Sequence, residues 1–226
     1  MTGLIVLLTL GKGPLGGLTV TDRIYRVGEV DRYRTLVTLG GNPMIEFLIA
    51  NRFTVKSVDK DQRATVIVQI EKMEVAVNGD KKDEASIEPT QEIWGRRQSK
   101  LSNSPRLPGS LDMFAFADLL PDNGYIEGSG SHVKRQVATN PNGYFEGDWT
   151  CIDSSDDLLQ LRLKGALINM NLRPVGMTYD VTYNRRSGKV LRVSMASECW
   201  VDQDSGRLTV HRQTPVHLQM EMIKNL

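Results

Sequence analysis

From Ile45 the odd positions read Ile45, Phe47, Ile49, Asn51, Phe53 and Val55, mostly apolar, while the even ones include Glu46, Arg52, Thr54 and Lys56. A repeat of two sends successive side chains to opposite faces of an extended backbone, so this stretch is a strand with one buried face. Unbroken from Met44 to Val58 it would span roughly 50 Å, well beyond an ordinary strand. "DKDQ" (59–62) then reads as a turn, and "RATVIVQIEKMEVAV" (63–77) as the returning partner.

The returning strand changes its buried face partway. Ala64, Val66, Val68 and Ile70 are even, whereas Met73, Val75 and Val77 are odd. "LLQLRLKGALINMNL" (158–172) does the same: Leu159, Leu161 and Leu163 give way to Ala166, Ile168, Met170 and Leu172, with Gly165 at the switch. One inserted residue, a bulge, shifts parity and bends the strand, and glycine tolerates the backbone required. Long strands bulged near their midpoints predict a strongly curved sheet.

The C-terminal third reads as a meander. Tyr179, Val181 and Tyr183 alternate, as do Leu191, Val193 and Met195, and then Leu208, Val210, Val216, Leu218 and Met220. "NRRSG" (184–188) and "DQDSG" (202–206) are the turns, each with a glycine where a short loop needs a left-handed residue. Pro215 places the last strand at an edge or interrupts it. "SLDMFAFADLLP" (110–121) is the helix candidate: Ser110 caps it, Met113, Phe116 and Leu120 share a face, and Pro121 stops it. Gly79 to Pro89 reads as a charged loop and Gln98 to Ser110 as a polar one. The expected fold is mainly β: a long curved antiparallel sheet, or half-barrel, with one or two short helices. Residues 20–226 form one β-rich domain with a polar loop region near 79–110. Residues 1–19, with the apolar run Leu4 to Leu10, are a signal-peptide remnant or a first strand; the run is too short to span a bilayer.

Among 226 residues, 28 basic against 27 acidic give a net charge of +1, without the basic footprint that nucleic-acid binding needs. Cys151 and Cys199 are too few for a structural zinc site, and they either pair as a disulfide or remain thiols. Asp202-x-Asp204-x-Gly206 resembles the start of a calcium loop, but Arg212 stands where the closing acidic ligand belongs, so the run is read as a hairpin turn. Asp153, Asp156 and Asp157 read as a solvated connection. His132, His211 and His217 read as solvent-facing, the last two on one strand about 20 Å apart. Neither Gly-x-Ser-x-Gly nor His-Glu-x-x-His occurs. No catalytic residue, metal ligand or cofactor site is assigned. The stronger lead is aromatic and methionine surface. Phe145, Trp149, Met170, Met195, Trp200 and Met220 are the candidate ligand-binding residues, lining the concavity that a curved sheet leaves for an apolar molecule.

The phrases "RIYRVGEVDRYRTLVTL" (23–39), "RFTVKSVDKDQRATVIVQIEKMEV" (52–75), "FADLLP" (116–121) and "SGKVLRVSMASECWVDQDSGRL" (187–208) resemble uncharacterised secreted β-rich proteins of bacterial envelopes. These are similar in style to the LolA and LppX type of lipoprotein-carrier half-barrel. The resemblance covers roughly residues 23–226 and lies in strand pattern and phrase order; it carries no site residue to a numbered position. It implies a long curved sheet with helices on the concave side, and acyl-chain binding in the carrier members. The expected function is therefore a non-enzymatic extracytoplasmic protein that binds a lipid or other apolar ligand. A protein-interaction module without a small ligand, and an enzyme with a motif-free site, are the alternatives.

Overall fold

The computed structural model describes residues 22–84, 87–96, 98, 114–120, 131–139, 142–169, 172–204, 207–212 and 214–223. Five strands come first: β1 (Val30–Leu39), β2 (Ile45–Val58), β3 (Ala64–Val77), β4 (Asp80–Glu84) and β5 (Ile87–Trp94). A 3-10 turn, Ala115–Leu119, follows. The second half holds β6 (Ser131–Thr139), β7 (Asn142–Ser154), β8 (Leu158–Asn169), β9 (Leu172–Asn184), β10 (Lys189–Ser197), β11 (Trp200–Asp204), β12 (Arg207–His211) and β13 (Val216–Met222). Eleven strands form one antiparallel sheet in the order β4-β3-β2-β1-β13-β10-β9-β8-β7-β6, with β5 beside β4 on the outer edge of β3. The sheet does not close into a barrel. β11 and β12 form a separate hairpin.

Two meanders, β1–β5 and β6–β10, are thus zipped together by the last strand, which enters between β1 and β10. The register carries one inward-facing row across nine strands, from Val75 through Phe47, Val37, Leu218, Met195, Tyr179, Leu163 and Trp149 to Ser131. From Val37 to Trp149 that row is buried.

Curvature follows from what the 3-10 turn touches. Phe114, just before it, lies 5.2 Å from the Trp94 ring on β5, while the Leu119 carbonyl accepts a 2.8 Å hydrogen bond from Trp149 Nε1 on β7. In a flat sheet β5 and β7 stand eight strand spacings apart, about 38 Å. The turn itself is about 10 Å long. The sheet reaches both ends only by bending around it.

The bulge expected in β3 is present. Ile70 faces Asn51 and Lys72 faces Ala50, leaving Glu71 as the extra residue where the apolar parity switches. The bulge expected at Gly165 is not. The pairing of β8 with both neighbours runs unbroken through Gly165, opposite Gly147 and Met177, and Leu167 stays on the buried face. The glycine is needed for close approach instead: a Cβ there would lie 2.7 Å from Gly147 Cα. Ala166 and Ile168 produce the apparent switch because both are partly covered on the other face.

Three further expectations change. The span 79–89, read as a charged loop, contains β4 and the start of β5. Short edge strands pair on one side only and expose much of their surface, so they lose the alternation that marks an interior strand. His211 and His217 do not share a strand: His211 ends β12, which pairs with β11, and His217 lies on β13, which begins after Pro215 and pairs with β1 and β10. The helix read over 110–121 is represented by the 3-10 turn, which has no side-chain cap; Ser110, Met113 and Pro121 lie outside the described residues. So do residues 1–19. The "NRRSG" turn forms as read, with Gly188 at φ 64 and the Asn184 side chain accepting hydrogen bonds from Ser187 N and Oγ.

Candidate functional site

The concave face is apolar because inward parity places Tyr33, Val37, Phe53, Val55, Leu161, Leu163, Tyr179, Val181, Val193 and Met195 there. The 3-10 turn lies against its middle. Phe114 makes edge contacts with Tyr33 and Phe53, and Phe116 packs on Tyr179 and Tyr183. Rings at these separations add about 0.5–1.5 kcal/mol per pair beyond simple burial. Trp149 Nε1 and Arg135 Nη2 donate to the carbonyls of Leu119 and Leu120, tying the turn to β7 and β6.

Of the six residues expected to line a ligand site, Phe145, Trp149, Met195 and Met220 lie fully inside the core. Trp149 and Met195 share the inward row, Met220 sits diagonally across the β10–β13 pair, and Phe145 lies one inward position along β7 from Gly147. Trp200 is only half-buried and belongs to the β11–β12 hairpin, where its ring stacks on His211 at 4.6 Å. Met170 lies outside the described residues. The structure therefore gathers four of the six on the concave face and places Trp200 at the margin of the same core, on the β11–β12 hairpin.

Both cysteines are free thiols. Cys151 lies on β7 and Cys199 two residues past the end of β10, strands that are three spacings apart, about 14 Å, beyond the roughly 7 Å Cα separation that a disulfide tolerates. Burial pushes the Cys199 thiol pKa up, which disfavours the reactive thiolate. Asp202 and Asp204 are paired with Thr209 and Arg207 in the β11–β12 ladder. Among the described residues, no three His, Cys, Asp or Glu side chains converge as a metal site requires.

A second site escaped sequence reading. β13 stops at Met222, so the first residues of β1 and β10 have no strand between them. Tyr33 Oη donates to the Val190 carbonyl across this gap, and Val190 N donates to Gln98 Oε1. Four charges fill the remaining space. Arg23 Nη2 lies 2.9 Å from Glu29 and 3.1 Å from Asp31; Lys189 Nζ lies 2.8 Å from Glu29 and 2.5 Å from Asp31. The Arg23 side chain is only 1% exposed. Burial disfavours the Glu29 carboxylate, but hydrogen bonds from Lys189 and Arg23 outweigh it and hold its pKa below the ordinary carboxylate value. Burial also pushes the Tyr25 and Tyr33 hydroxyls well above the usual phenol range. The sequence signal was Asp31: it falls on the inward parity of β1, two residues before Tyr33.

Among the described residues, clefts open to solvent in two places of note. One, of about 680 Å³, lies on the outer face around Arg34, Leu36, Glu46, Leu48 and Gln219. The other, of about 400 Å³, lies beside the four-charge cluster, between residues 23–29 and the 184–189 turn.

No family model and no curated protein matches the chain. A solved LolA superfamily protein from Nitrosomonas europaea aligns with 92% of this chain and 91% of its own, at 11% identity and a TM-score of 0.21. Among the described residues no helix is long and apolar enough to cross a membrane.

Proposed function

We propose that this is a non-enzymatic binding protein whose concave face receives a hydrophobic ligand of acyl-chain type, with Phe145, Trp149, Met195 and Met220 in its wall. One observation supports this reading above the others. An open sheet, apolar along its inner face, is filled at its centre by rings carried on a five-residue 3-10 turn with no side-chain cap and on the residue just before it. A short 3-10 segment contributes little stability of its own, so an apolar ligand that replaced the Phe114 and Phe116 rings would keep most of the wall's contacts. An extracytoplasmic location belongs to the same proposal and rests on the apolar run Leu4 to Leu10. The two thiols bear on it in neither direction, since they stand too far apart to be joined in any compartment.

The interaction-module alternative has one observation in its favour: Ile87 and Ile93 are exposed on edge strand β5. Pro89 between them, and Lys134 with Arg135 on the opposite edge strand β6, are features that discourage strand addition.

Titration with a dansyl-labelled fatty acid tests the proposal. Saturable, blue-shifted emission is expected, with tighter binding by Phe116→Ala, or by Phe116→Leu if the alanine variant does not fold. Native mass spectrometry without co-purifying lipid, together with no saturable signal from wild type or variant, overturns it.

A further inference from the structure

The 400 Å³ cleft beside the four-charge cluster has an excess of hydrogen-bond donors. It is lined by Arg23, Arg26, Arg186 and Lys189 among cations, and by Glu29 as the sole acid. The acceptors around it are already used. Glu29 Oε2 takes Arg23 and Arg26 N, Glu29 Oε1 takes Lys189, and both Asp31 oxygens are bonded. The Asn184 side-chain oxygen accepts twice from Ser187, and the Ser187 carbonyl accepts from Ile24 N. The donors are not exhausted. Among the described residues the Arg26 guanidinium has no partner, the Asn184 amide nitrogen has none, and Arg186 bonds only Asp157, through Nε. Arg23 Nε is buried without an acceptor, and a buried unsatisfied donor calls for a bound water or ion.

Charge points the same way. Arg23 and Lys189 are cancelled by Glu29 and Asp31, and Arg186 by Asp157, which leaves Arg26 uncompensated at the rim. Ile24, 53% exposed, and Leu191 add an apolar wall beside these donors.

The geometry points to an anion-binding cleft, in which Arg26, Arg186, Lys189 and the Asn184 amide hold the oxygens of a phosphate or phosphate monoester. An acceptor-only group is what such a lining lacks, and arginine donates to phosphate through two nitrogens at once. The cleft is separate from the concave face: Phe116 variants read one and Arg26 variants the other, so either can fail alone.

Calorimetric titration of the full chain at constant ionic strength, with inorganic phosphate and then hexyl phosphate, tests this. One saturable site is expected in wild type. Arg26→Gln should weaken it about ten- to a hundred-fold, the worth of a charge-assisted hydrogen bond. Its melting temperature in chloride should stay unchanged, because the Arg26 side chain bonds nothing among the described residues. Tighter binding of hexyl phosphate identifies the ligand as an amphiphile whose chain lies on Ile24 and Leu191; equal binding identifies a free phosphate. No saturable heat with either compound, or equal binding by Arg26→Gln, overturns the assignment.

Discussion

Replacing Gly165 by alanine tests whether close backbone approach is what keeps this position a glycine. The added Cβ would stand 2.5 Å from Phe145 Cζ and 2.7 Å from Gly147 Cα, and it would press on the Glu146 carbonyl. Carbon atoms prefer separations of about 3.5–4.0 Å, so the contacts are short by roughly 1 Å. The Phe145 ring is fully buried and cannot swing out, and the other two neighbours are backbone. Overpacking of this kind costs about 1–3 kcal/mol, and the upper end applies because β7 and β8 themselves must part. Losing the glycine's unfolded-state freedom returns about 0.5–1 kcal/mol. The net loss of about 2 kcal/mol corresponds to a melting temperature lower by about 4–8 °C for a chain of this size. Gly176→Ala is the matched control. Its Cβ meets the Glu198 side chain, which is solvent-exposed and can move aside; the hydrogen bond from Gly176 N that it gives up offsets the same unfolded-state gain, so the expected shift is within about 2 °C. Thermal denaturation followed by circular dichroism compares the two. If Gly165→Ala melts with Gly176→Ala, close approach is not what holds the position as glycine.

Lys189→Met leaves Glu29 and Asp31 with Arg23 as their one cation and should cost about 3 kcal/mol, measured by urea unfolding; a change below about 0.5 kcal/mol would show that the cluster does not couple β1 to β10. The Glu29 carboxyl is depressed in the folded state, so its stabilising effect is complete above the unfolded pKa and is lost as pH falls through the folded one. In Lys189→Met the folded-state carboxyl moves back up, so that acid loss should be smaller and should end at a higher pH, and superimposable pH–stability curves would count against the pairing. Trp149→Phe removes the donor to the Leu119 carbonyl and leaves a cavity, for a loss of about 2–4 kcal/mol in the same assay; a neutral result would mean the 3-10 turn is not anchored on β7. Thiol titration with a chromogenic disulfide should find two free thiols after unfolding, with Cys199 slow in the native protein; recovery of none after unfolding without reductant would reveal a disulfide.

The alternation in 45–58 and 64–77 made the strands legible, because a sheet with one buried face imposes a repeat of two on any sequence that builds it. The parity change between Ile70 and Met73 likewise marked the bulge at Glu71, since an extra residue must turn the following side chains over. The same sign misled at Gly165. There apolar residues occupy both parities because both faces are partly covered, and a single strand cannot record what lies over its second face. β4 and β5 were missed for a related reason: at an edge, burial no longer dictates polarity.

What the sequence determined by itself was the local geometry: which segments extend, which side of each is greasy, and where turns such as Asn184–Gly188 reverse the chain. These depend on residues close together along the backbone. Only the tertiary structure decided that Val216–Met222 would enter between two meanders and stop short, and that the sheet would bend far enough for Trp94 and Trp149 to meet one turn. It alone brought Arg23, Glu29 and Asp31 to Lys189, up to 166 positions away, in the gap that the short strand left. Such contacts depend on which surfaces meet after the strands have formed, and periodicity carries no information about partners distant along the chain.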